Sequence, residues 1–80
     1  MKIAVLGPGC AKCKQLYENT RKALEEAGVE AEITKVEDMQ EISSYNVFMT
    51  PALVIDGKVK SSGKVVKPEQ IKQWVSQTGG

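Results

Sequence analysis

Cys10 and Cys13 are the side chains in this sequence best suited to covalent chemistry. They lie three residues apart, so a bridge between them closes almost no loop and adds little chain-entropy stabilisation. A structural staple in a small secreted protein would instead tie distant segments together. Reactivity or metal binding is therefore the better account of the pair. The absence of histidine removes Ser-His-Asp and Cys-His catalysis and leaves thiolates and carboxylates as the strong metal ligands.

The surrounding pattern favours thiol chemistry. Lys2–Leu6 is a short apolar run stopped by Gly7-Pro8-Gly9, the pattern of a strand buried on both faces. Beyond it, Cys13, Leu16, Tyr17, Thr20, Ala23, Leu24 and Ala27 recur at spacings of three and four, which predicts a helix over Ala11–Ala27 stopped by Gly28. Cys10 is then expected at the helix N-cap and Cys13 one turn further in, with both sulfurs on one side. Unpaired N–H groups and the positive end of the helix dipole favour an anion there. They lower the Cys10 thiol pKa below its ordinary ~8.5, and Lys12 or Lys14 would add to that. Since only the thiolate attacks a disulfide, Cys10 is the expected attacking thiol. Cys13, deeper, is placed to resolve the mixed disulfide. The alternative is a carrier of copper(I) or another soft metal on the same two thiolates. A zinc site usually takes four ligands and would need carboxylates or a second chain.

Pro51 bears on that choice. Met49-Thr50-Pro51 stands directly ahead of the apolar run Ala52-Leu53-Val54-Ile55. A proline there cannot donate a ladder hydrogen bond, and an X-Pro bond admits a cis peptide at low cost. With Cys10 and Pro51 at corresponding ends of two central strands, the proline would pack against the disulfide. The Thr50 backbone would then be exposed to pair with an extended substrate segment. Copper-carrying domains of similar length end on a strand, whereas this sequence ends on a helical stretch holding Trp74.

The remaining elements must position these groups. Val29–Val36 alternates apolar and polar residues, as a strand with one exposed face or at an edge does. Asp38 caps a short helix running to about Tyr45, with Glu41 as capping-box partner and Met39 and Ile42 as anchors. Asp56-Gly57 signals a hairpin, so Lys58–Ser61 returns antiparallel. Ser62-Gly63 is a turn or bulge after which Val65 and Val66 resume the strand. Pro68 opens a final helix whose buried face is Ile71, Trp74 and Val75. Gly79-Gly80 is expected as a frayed tail. The order βαβαββα predicts an α/β fold with a four-stranded mixed sheet and helices on both faces. The first and third strands are expected as parallel neighbours in its centre.

Eighty residues suffice for a single domain over 1–80. Eleven basic against ten acidic side chains give a net charge of +1, without the basic excess of a nucleic-acid binder. The 41% hydrophobic content argues against disorder. No apolar run approaches the ~20 residues of a membrane span, and Ile3–Leu6 is too short for the core of a signal peptide. A cytoplasmic protein is expected. Small size without an obvious apolar stripe points to a monomer. Tyr45 and Phe48, just ahead of Pro51, are candidates for an apolar rim facing partner proteins.

Cys10-Ala11-Lys12-Cys13, the stretch Met49–Gly57 and the turn Ser61-Ser62-Gly63 resemble the thioredoxin superfamily. The sequence is most similar to its minimal thioredoxin/glutaredoxin-like redox-active disulfide proteins, from the first strand to the last helix. The resemblance implies the thioredoxin fold and thiol–disulfide oxidoreductase activity without a cofactor. Cys10 attacks, Cys13 resolves, and Pro51 is the cis-proline, with Thr50 and Pro51 meeting the substrate. Disulfide-containing proteins and an upstream reductase are the implied partners. Some positions depart from the family pattern. Gly9 precedes the pair where tryptophan is typical, Ala11-Lys12 fill it, and Ala4 stands where a buried acid is common. Ser62-Gly63 only partly echoes the Gly-Gly segment that receives glutathione. These departures argue against glutathione and against efficient use of the usual thioredoxin reductase.

Overall fold

In the computed structural model, which describes residues 1–9 and 11–78, the apolar runs and helical stripes form elements in the expected order. They are β1 (Lys2–Leu6), α1 (Ala11–Ala27), β2 (Glu32–Val36), α2 (Met39–Ser44), β3 (Ala52–Ile55), β4 (Lys58–Ser62) and α3 (Pro68–Thr78). The expected Cys10 N-cap and the Gly79-Gly80 tail lie outside the described residues. The four strands make one mixed sheet in the order β2-β1-β3-β4. Its two faces sort by strand alternation. Ile3, Val5, Leu53 and Ile55 face Leu16 and Leu24 of α1 and Ile71 and Val75 of α3. Leu6, Val36, Ala52 and Val54 face Ile42 of α2 and Val47 beyond it. Helices therefore cover both faces of this α/β sheet.

The direction of β3 differs from expectation. β1 pairs with β2 in parallel but with β3 antiparallel, so Leu6 lies opposite Ala52 and Ile3 opposite Ile55. Residues 37–51, with α2 among them, return the chain to the end of the sheet where β2 finishes, so β3 begins beside Leu6 and runs against β1.

Three local expectations change for identifiable reasons. β2 begins at Glu32 and not at Val29, because the end of α1 captures Val29. Gly28, at φ 66°, donates its N–H to the Glu25 carbonyl (3.2 Å), and Val29 donates to Leu24 (3.1 Å). This is the paired closure of a helix C-terminus on a left-handed glycine. Val65 and Val66 do not resume β4. Gly63 turns the chain at φ 77°, and the Val66 carbonyl accepts the Asn19 amide N–H (2.9 Å), tying this segment to α1. In α2, the Asp38 carboxylate caps the helix by accepting the Gln40 N–H at 2.9 Å. Ile42 anchors the helix but Met39 is 60% exposed, since one short turn meets the sheet and Ile42 with Val47 fills that contact.

The hairpin between β3 and β4 turns on Asp56 (φ 49°) and Gly57 (φ 82°), both left-handed as a two-residue turn of matching twist requires. Asp56 also holds the start of β1. Its carboxylate accepts the Lys2 N–H at 2.9 Å, and its own N–H donates to the Lys2 carbonyl at 2.8 Å.

Candidate active site

The antiparallel register brings the last residue of β1 beside the first of β3, and the site forms at that corner. Past Leu6, the Gly7 N–H donates to the Val36 carbonyl at 2.9 Å, extending the β1–β2 pairing by one residue. The chain then passes Pro8 and Gly9 and enters α1 at Ala11. Cys13, in the first turn of α1, is 6% exposed and sits against Gly7. A β-carbon on Gly7 would overlap the Cys13 Sγ, lie 3.2 Å from its Cβ, and come within 3.8 Å of the Pro51 Cα. Gly7 thus lines a three-way contact between the ends of β1, α1 and β3.

Of the four site residues named from the sequence, the structure brings Cys13 and Pro51 to this corner, with Thr50 adjoining. The position of Cys10 lies outside the described residues. The Thr50–Pro51 peptide bond is cis. Pro51 is buried and Thr50 half-buried, and the Pro51 carbonyl accepts the Gly63 N–H at 2.8 Å. Gly63 is favoured by its positive φ, and a β-carbon there would stand a tight 3.0 Å from both the Cβ and Cε of Met49. Outward from this contact, Phe48 is 96% and Met49 63% exposed. Tyr45 packs against the second core face, so of the two aromatic residues considered for an apolar rim, only Phe48 stands in solvent. Met49 joins it.

A small cavity of about 130 Å³ opens beside Cys13 and is lined by Val5, Gly7, Gly9, Lys14, Lys35 and Glu37 as well as the cysteine. The Glu37 carboxylate rests on Gly9, where a β-carbon would come within 3.1 Å of Oε2. Lys35 holds its ammonium 4.3 Å from the centroid of the Tyr17 ring, a distance at which cation and ring attract. Short sequence patterns do not mark Gly7, Gly9, Lys35 and Glu37 as site residues. The Gly-Pro-Gly stop after β1 was the one local signal for the glycines. Nothing in the local pattern pointed to the two charged groups, which arrive from the neighbouring strand.

Among the described residues no group of three or more histidines, cysteines, aspartates and glutamates could hold a metal ion, and no helix is long and apolar enough to cross a membrane. No observation favours the copper alternative.

Residues 1–76 match the model of the Thioredoxin domain family. Two curated relatives carry the name thioredoxin. One, of Methanocaldococcus jannaschii, is 46% identical over 71 residues, spanning 89% of this chain and 81% of the relative. The other, of Methanothermobacter thermautotrophicus, is 40% identical over 76 residues, spanning 95% of this chain and 99% of the relative.

Proposed function

The chain belongs to the thioredoxin family and is a thioredoxin-like disulfide oxidoreductase, and we propose that Cys10 and Cys13 are its redox pair. The Cys10 thiolate attacks one sulfur of a target disulfide and expels the other as a thiolate, leaving a mixed disulfide between Cys10 and the target. Cys13 then displaces the target sulfur and forms the Cys10–Cys13 bridge. The target gains two electrons and the pair loses two. An upstream reductase returns the bridge to the dithiol.

The observation that carries this reading is the packing of Cys13 in the first turn of α1 against Gly7 and next to Pro51. There the resolving sulfur is shielded from competing thiols. The Thr50–Pro51 backbone, at the start of β3, is the surface we assign to an extended segment of the target. The chain acts as one cytoplasmic domain over residues 1–80, as a monomer and without a cofactor. Glutathione is not the preferred donor, since Ser62-Gly63 stands where a Gly-Gly segment would receive it.

Replacing Cys13 with Ser tests the division of roles. C13S should accumulate mixed disulfides with target proteins through Cys10, and C10S should capture none. The unsubstituted protein should catalyse dithiothreitol-dependent reduction of insulin. Equal capture by C10S, or no insulin reduction, overturns the reading.

A further inference from the structure

We infer that Glu37 accepts the proton of Cys13 during the resolving step. The inference rests on the redox-pair reading above and adds a residue to it. Cys13 is 6% exposed, and a buried thiol gives up its proton only to an acceptor it can reach. The strand beneath it, Ile3-Ala4-Val5-Leu6, offers no ionisable side chain. The cavity beside Cys13 does. Glu37, from the segment that follows β2, lines the same 130 Å³ space as Cys13, and its carboxylate is seated on Gly9. The other charged side chains lining that space, among the described residues, are Lys14 of α1 and Lys35 of β2. Both are cations and both favour the thiolate that the transfer creates. Lys35 is held in place by its contact with Tyr17.

The step balances as follows. The Cys13 thiol loses its proton to the Glu37 carboxylate, and the resulting thiolate attacks Cys10 in the mixed disulfide. The Cys10–target S–S bond breaks, the Cys10–Cys13 bond forms, and the target sulfur leaves with the bonding pair. Glu37 releases its proton to water, and the target thiolate takes one up. A positioned base of this kind is worth about a hundredfold or more where geometry is ideal. Glu37 is exposed, which places it at or below the lower end of that range, about a hundredfold at most.

Reaction of the reduced protein with 5,5′-dithiobis(2-nitrobenzoate) separates the two steps. The first thionitrobenzoate is released by Cys10 at a rate proportional to reagent. The second is released by Cys13 at a rate independent of it. Glu37→Gln should leave the unfolding midpoint unchanged and should not slow the first phase, since losing a carboxylate seated on Gly9 removes no support from the Cys10 thiolate. It should slow the second near pH 7 by no more than about a hundredfold, and the two rates should converge as the pH rises far enough for the buried thiol to ionise unaided. Glu37→Asp should restore part of the loss. Superimposable pH profiles for the native protein and Glu37→Gln, or an equal slowing at every pH, overturn the inference while the redox pair stands. Absence of a reagent-independent second phase in the native protein overturns both.

Discussion

The α-carbon of Gly7 faces the sulfur of Cys13 across a gap that leaves no room for a methyl group. Gly7 is the residue at which β1 gives way to the loop before α1, and its N–H is committed to Val36. Neither side of the contact yields easily, since one is backbone pinned to the sheet and the other is a buried side chain in the first turn of a helix. The close approach sets how deep Cys13 sits and how near it comes to Pro51.

Gly7→Ala should therefore destabilise the protein by about 1–3 kcal/mol, the usual cost of overpacking a filled site, and slow the resolving step by displacing Cys13. Urea unfolding measures the first effect and the reagent-independent thionitrobenzoate phase the second. An unchanged midpoint together with an unchanged phase would mean that the corner accommodates a side chain.

Phe48 stands almost wholly in solvent beside Met49 and the Thr50–Pro51 segment, so it contributes little to the core. Phe48→Ser should change stability by no more than about 0.5 kcal/mol. Turnover on a folded protein disulfide should fall about fivefold, the kinetic equivalent of about 1 kcal/mol, while reaction with a small aromatic disulfide stays the same. Equal effects on both substrates would show that Phe48 does not contact protein targets.

Ser61 pairs with Leu53 where β4 carries an extra residue, Lys60, opposite the junction of Leu53 and Val54. Its hydroxyl is buried, and among the described residues it has no hydrogen-bond partner. A buried hydroxyl in that condition costs free energy that an apolar side chain avoids. Ser61→Ala should raise stability by up to about 1 kcal/mol in denaturant unfolding. A loss of comparable size would show that the hydroxyl is satisfied by water in solution.

The local elements were legible in the sequence because the forces that make them are local. The three-and-four spacing from Cys13 to Ala27 with Gly28 behind it gives α1 its observed limits, Asp56-Gly57 gives the hairpin, and Pro68 opens α3. Cys10, Cys13, Thr50 and Pro51 were likewise named from short patterns. Where local patterns competed, the sequence misled: Val29 fits the strand alternation, but its N–H closes the preceding helix.

Strand direction depends instead on where a connection delivers the chain, and alternation of apolar residues is the same read in either direction. A parallel β3 would have put Pro51 at the opposite end of the sheet from Gly7. The antiparallel register sets Pro51 beside Gly7, against which Cys13 also packs. The sequence by itself determined which segments become helix and strand and which side chains carry sulfur chemistry. Only the tertiary structure decided that Pro51 and Cys13 come together at Gly7 and that Glu37 shares the cavity beside Cys13. Those contacts join segments remote along the chain, and their formation depends on sheet order and strand direction.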